Sequence, residues 1–166
     1  MLLILAALTA ALGYSLARRP RLGLDAPQAV ALTREGTPRL LIYADLTPKS
    51  RRFLLTWTPR LILAAEEGRF GLALKTPDPV LAGWLRCQPD LPTLLWILRT
   101  AVPPPPPCQE EGKTAARLTE RELAENRLPS LPALFLGRAF VYPQRWRPTL
   151  ERLLARPPAT NGKTPP

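Results

Sequence analysis

The chain has 166 residues, 46% of them hydrophobic, which is enough for one domain with a packed core and a terminal appendage. Lys and Arg total 23 against 13 Asp and Glu, yet no basic stripe is interleaved with aromatics, so the net charge of +10 reads as a solvated surface and no nucleic-acid partner is expected. His is absent and Cys numbers 2, which excludes His-dependent triads, most zinc enzymes and an all-thiolate zinc site, so no metal or other cofactor is expected.

Met1–Ala17 is apolar apart from Thr9, Tyr14 and Ser15, and Arg18, Arg19 and Arg21 follow at once. A run of that length is the short limit for crossing a bilayer and also fits a signal-peptide core, with Ser15-Leu16-Ala17 as a small-x-small cleavage site. The positive charges lie after the run, however, and a strict positive-inside reading places the domain on the cytoplasmic side. Two outcomes therefore compete. One is an exported or membrane-tethered domain in the periplasm or cell envelope; the other is a cytoplasmic domain on a reversed anchor.

Residues 18–38 form a Pro- and Arg-containing lead-in, in which Ala29–Thr33 can make a short edge strand. Leu40–Leu46 reads as a buried strand. Pro48–Glu67 reads as a long helix, with Phe53, Trp57, Leu61 and Ala64/Ala65 on one apolar stripe and Arg51, Arg52, Arg60 and Glu67 largely on other faces. Pro48 suits the first turn, Pro59 is expected to kink the helix, and Gly68 stops it. Phe70–Leu74 is a second strand. Val80–Cys87 and Leu91–Ala101 are short apolar helices, Pro103–Pro107 is a stiff polyproline run, and Lys113–Asn126 is a polar helix with Leu118 and Leu123 facing in. Ala133–Leu136 and Ala139–Tyr142 flank the two-residue turn Gly137-Arg138 as a hairpin, and Arg147–Ala155 is a closing helix. Residues 156–166 are a Pro-rich tail expected to be disordered. The order predicts an α/β layered domain over 39–155 with a mixed sheet and a helical insertion at about 78–126.

The stretch around which this order is built is Leu40–Arg52, LLIYADLTPKSRR: a strand, a tight elbow, and a helix whose first turn is exposed at the strand's end. The elbow carries Thr47-Pro48-Lys49-Ser50, without a thiol, a His or a carboxylate inside the tetrad. Thr47 reads as an N-cap residue with Pro48 at the first helical position. Downstream, Ser130-Leu131-Pro132-Ala133-Leu134-Phe135-Leu136-Gly137 leads into the hairpin.

Taken together, these elements resemble the thioredoxin fold, in its DsbA-like branch with a helical insertion, over roughly Leu40–Ala155. The resemblance implies that Thr47-Pro48-Lys49-Ser50 stands where relatives carry Cys-Pro-x-Cys, and that Pro132 is the family's cis-proline, with Leu131 beside it in a peptide-binding groove. Both cysteines of that tetrad are missing. Thiol–disulfide exchange needs a thiolate, and a Thr hydroxyl without a His to act as base is not a substitute. The implied groove, lined by Leu131, Pro132, Pro48 and Lys49 with Tyr43 or Trp57 near, does not depend on sulfur.

Cys87 and Cys108 flank Leu91–Ala101, and the polyproline run can carry the chain back toward Cys87. A structural disulfide stapling the insertion is expected, which favours an oxidising compartment. Two buried free thiols and a relocated redox pair are the alternatives, although no nearby group in the sequence would lower a thiol pKa. The functional expectation is a redox-inactive binding or scaffold protein, an accessory subunit of an envelope or membrane complex. It would be exported, or held to the membrane through residues 1–17, act on protein partners and take no small-molecule substrate. The alternative is an oxidoreductase working through Cys87/Cys108 or a partner's thiols.

Overall fold

The computed structural model describes residues 30–31, 38–128 and 130–158. The expected anchor at 1–17, most of the lead-in and the end of the tail lie outside the described residues. Among the described residues no helix is long and apolar enough to cross a membrane.

Five strands form one sheet in the order β1-β3-β2-β4-β5. They are β1 (Val30–Ala31), β2 (Arg39–Tyr43), β3 (Gly71–Lys75), β4 (Ala133–Leu136) and β5 (Ala139–Val141). β2 and β3 run parallel, and the other pairs are antiparallel. A parallel pair needs a crossover, supplied here by helix α1 (Pro48–Glu66). Helices α2 (Pro79–Arg86), α3 (Leu91–Arg99) and α4 (Gln109–Glu125) form the insertion, and α5 (Trp146–Leu154) closes the chain after a 3-10 turn at Pro143–Arg145. The hairpin turns at Gly137, whose φ of +60° is the left-handed value a two-residue hairpin turn requires.

Continuous apolar runs in β2 and β3 follow from coverage of both sheet faces; Leu40–Tyr43 and all of β3 are buried. Leu40, Ile42, Leu72, Leu74 and Leu134 face α1, α3 and α5, where Phe53, Leu54, Leu61, Leu94 and Leu150 complete the larger core. Leu41, Tyr43, Ala73, Ala133 and Phe135 form the core on the opposite face, with Leu123, Leu128, Leu131 and Phe140 packed against it.

On α1, Phe53, Leu61, Ala64 and Ala65 are buried, Trp57 is half-buried, and Ser50, Leu54, Thr58 and Ile62 complete the inner face. The helix continues through Pro59 and ends where Gly68, at φ +75°, returns its N–H to the Ala65 carbonyl. Asp78 and Asp90 cap α2 and α3, accepting from the Val80 and Leu81 N–H groups (2.9 Å each) and from the Thr93 N–H (2.8 Å).

Most boundaries fall within two residues of the sequence reading, and two differ by three or more. β2 ends at Tyr43 rather than Leu46, because Asp45–Thr47 are bent into the elbow by their own hydrogen bonds. α4 begins at Gln109, not Lys113, and its buried line is Gly112, Ala115, Ala116 and Thr119, while Leu118 and Leu123 are only half-buried. The cause is close helix packing: a Cβ on Gly112 would overlap the Gly83 backbone of α2, and one on Gly83 would overlap Pro106. Only small residues fit that seam, and a search for large apolar side chains misses it.

Candidate functional site

The carboxyl ends of β2 and β3 lie together, with Tyr43 opposite Lys75 in the parallel register. β2 then turns through Ala44–Thr47 into α1. β4 runs the other way, with Ala133 opposite Tyr43, so Leu131–Pro132 enters the sheet at the same edge. The Leu131–Pro132 peptide bond is cis. The elbow and the segment before β4 are thus brought to one end of two neighbouring strands, although 85 positions separate Thr47 from Pro132 in sequence.

Asp45 organises the elbow. Its Oδ1 accepts from the Thr47 hydroxyl at 2.6 Å and from the Thr47 N–H at 3.1 Å. Thr47 occupies the N-cap position of α1 but makes no side-chain cap bond; its hydroxyl donates to Asp45. Ser50 is fully buried at the first turn; it lies close enough to Asp45 to stabilise the carboxylate, though its hydroxyl reaches no partner at full hydrogen-bond geometry. Partial burial pushes the Asp45 carboxyl up, but the hydrogen bonds from Ser50, from the Thr47 side chain and from the Thr47 backbone outweigh it, and the net shift is downward. A carboxylate stabilised in this way is a poor proton acceptor, so the pair does not turn Thr47 into a nucleophile. Pro48 and Lys49 are exposed at the helix start.

Two charged groups that the sequence reading left out hold this edge in place. The Arg51 guanidinium donates to the carbonyls of Leu46 (2.7 Å), Leu98 (3.4 Å), Thr100 and Ala101 (3.1 Å). It therefore satisfies the unpaired carbonyls at the end of α3 while fixing that end against the elbow. Lys75 is buried and its Nζ holds both oxygens of Glu122 on α4, at 2.9 and 2.6 Å. The Tyr43 hydroxyl donates to the same carboxylate at 2.8 Å; burial first, then the Glu122 charge and this hydrogen bond, push the phenol far above its usual range. Lys75 was legible as a cation ending an otherwise apolar strand, but its partner lies 47 residues away.

Along the first turns of α1, Pro48, Lys49, Arg52, Phe53, Thr56 and Trp57 line an open groove of about 430 Å³. Phe53 stacks edge-on against Trp146 at 5.2 Å, and the Arg60 guanidinium lies over Trp57 at 5.6 Å. Of the residues expected around the cis-proline groove, Pro48, Lys49 and Trp57 line this one, while Pro132 is buried and is not among its lining. Tyr43 does not line it either, since it is fully buried beneath the sheet edge, and Leu131 packs onto the Tyr43–Phe135 side of the sheet.

Cys87 and Cys108 are joined in a disulfide with Cα atoms 5.8 Å apart. It ties the end of α2 to the start of α4, where Trp84 Nε1 also donates to the Pro104 carbonyl at 3.0 Å. Cys108 is the N-cap residue of α4, a position where the helix end favours a thiolate; the sequence reading had found no such influence. Among the described residues no three His, Cys, Asp or Glu side chains gather as metal ligands.

No family model and no curated protein matches the sequence. Solved structures do. A linker-deletion mutant of Proteus mirabilis ScsC aligns over 92% of this chain and 87% of its own, with 10% identity and a TM-score of 0.57. A periplasmic thioredoxin-like protein from Salmonella enterica serovar Typhimurium aligns over 80% of this chain and 93% of its own, with 12% identity and a TM-score of 0.53. The domain has a thioredoxin-like, DsbA-like fold: a mixed sheet flanked by helices, with a helical insertion.

Proposed function

We propose that this domain binds an extended segment of a protein partner and performs no thiol–disulfide exchange at its elbow. The observation that carries the reading is the elbow itself. Hydroxyls of Thr47 and Ser50 stand around Asp45 at the start of α1, while both cysteines of the chain are bonded to each other in the insertion. Without a sulfur at the elbow, neither attack on a disulfide nor resolution of a mixed disulfide can occur there. A peptide still finds a backbone to pair with. The β2–β4 ladder ends at Tyr43–Ala133, so once β2 has turned into the elbow no strand among the described residues pairs with the Ser130–Leu131 backbone on that side. Likeness to a periplasmic protein, together with a disulfide, supports an extracytoplasmic location, tethered or exported through residues 1–17. Such a domain suits an accessory subunit of an envelope complex.

A second reading has one observation in its favour: Cys108 at the N-cap of α4 makes the Cys87–Cys108 pair a candidate for exchange in its own right. An NMR titration with an unfolded, Cys-free polypeptide separates the two. Binding should move the amide signals of 45–47, 49–50, 130–131 and 133 and leave those around Cys87 and Cys108 unmoved. No shift at the elbow up to millimolar polypeptide would overturn the binding reading.

A further inference from the structure

The α1 groove is not simply apolar, because two cations line it beside its aromatic rings. Lys49, Arg52, Phe53, Thr56 and Trp57 fall at i, i+3, i+4, i+7 and i+8, which places them along one face of the helix. Lys49 and Arg52 are exposed, and among the described residues no carboxylate pairs with either side chain. The first turn of α1 contains no acidic residue, so the positive end of a 19-residue helix adds to the same field. The carboxylate close by, Asp45, is engaged with the Thr47 hydroxyl and N–H. Farther along the face the wall is Phe53 and Trp57, backed by Trp146. The face thus runs from two unpartnered cations to two aromatic rings.

We infer that the occupant of this groove is an acidic, aromatic-containing peptide segment, with its carboxylates over Lys49 and Arg52 and its bulky apolar side chain against Phe53 and Trp57. The dimensions suit an extended peptide. From Lys49 to Thr56 the helix rises about 10 Å at 1.5 Å per residue, the span of roughly three residues of extended chain. A groove this short and open cannot enclose an acyl chain, which argues against a single lipid tail as the ligand. Charge complementarity also gives selectivity, since a basic segment meets like charge at the same place. The chain's net charge of +10 steers an acidic partner toward the domain from outside contact range. The inference rests on the peptide-binding reading, which meets this groove at the elbow residues Pro48 and Lys49, and it narrows that reading to one chemical class.

The test uses the full oxidised chain and three fluorescein-labelled probes read by polarisation. These are a peptide alternating acidic and aromatic residues, a control of equal length with Lys at every acidic position, and phosphatidylglycerol vesicles. The acidic peptide should bind, more weakly as salt rises, and the basic control should not. Lys49→Glu/Arg52→Glu should weaken the acidic peptide by about tenfold or more and let the basic control bind. A neutral Lys49→Gln/Arg52→Gln variant should fall between the two, and unchanged circular dichroism establishes that both variants are folded. Equal binding of both peptides, unaffected by charge reversal, overturns the acidic assignment and leaves the peptide-binding reading standing. Binding of neither peptide overturns both. Vesicle binding that depends on Lys49 and Arg52, without peptide binding, replaces the peptide with a membrane surface and refutes the inference.

Discussion

Replacing Glu122 with Leu should destabilise the domain more than any exposed substitution. Lys75 has a side chain with 0% exposure and Glu122 one with 16%, and their contacts of 2.6 and 2.9 Å are reinforced by the Tyr43 hydroxyl at 2.8 Å. Removing the carboxylate leaves a buried ammonium and a buried phenol without their acceptor. Breaking one side of a buried pair costs about 3–5 kcal/mol, against a total stability on the order of 5–15 kcal/mol. For a domain of this size that corresponds to a fall in Tm of roughly 10 °C or more. The double variant Lys75→Met/Glu122→Leu removes both charges together and should recover most of the loss, because an apolar pair of similar volume often replaces a buried ion pair at little cost. Urea unfolding followed by circular dichroism at pH 7 measures both variants and their coupling. A Glu122→Leu variant within about 1 kcal/mol of the parent, or a double variant no better than the single, would show that the pair is not buried as described.

Cys87→Ser/Cys108→Ser opens a loop whose ends are 21 residues apart, and the chain-entropy estimate for that loop is about 3 kcal/mol; thermal unfolding with and without reductant should show the same loss in the reduced parent. Arg51→Lys keeps the charge but cannot reach four carbonyls in one plane, and should cost about 1.5–3 kcal/mol in urea unfolding. Gly112→Ala forces a methyl into the Gly83 backbone and should cost about 1–3 kcal/mol, whereas Gly137→Ala meets open space and is strained only through its positive φ. The Asp45 carboxyl is lowered in the folded protein, so its contribution to stability is present above the unfolded value near 4 and is lost as pH falls through the lower folded value; Asp45→Asn should flatten the stability–pH curve in that window.

Much of the fold could be read from local patterns. LLIY before a Pro-opened helix, the hairpin around Gly137, and the prolines punctuating the insertion each act over a few residues, and the strands and helices they predict are present. The thioredoxin-like arrangement followed from the order of those elements. Less legible was what depends on contacts between distant segments. The α2–α4 seam is made by Gly83, Gly112, Ala115 and Ala116, residues with no hydrophobic signal of their own. Arg51 looked like a surface charge because its acceptors are backbone carbonyls, which have no sequence signature. Asp45 lay just outside the tetrad and was passed over, although it holds Thr47 in place. Expected kinship drew Tyr43 toward a groove, yet strand alternation turns it to the other face, onto Glu122.

The proposal on which the functional reading rests is that Thr47 and Ser50 occupy the place of a redox dithiol without its chemistry. Insulin reduction by the parent chain and by Thr47→Cys/Ser50→Cys tests it most directly. The account predicts no turnover above background for the parent, and catalytic turnover in the double variant, whose new cysteines would lie at the amino end of a long helix. Turnover by the parent that disappears in Cys87→Ser would contradict it and move the active centre to the insertion.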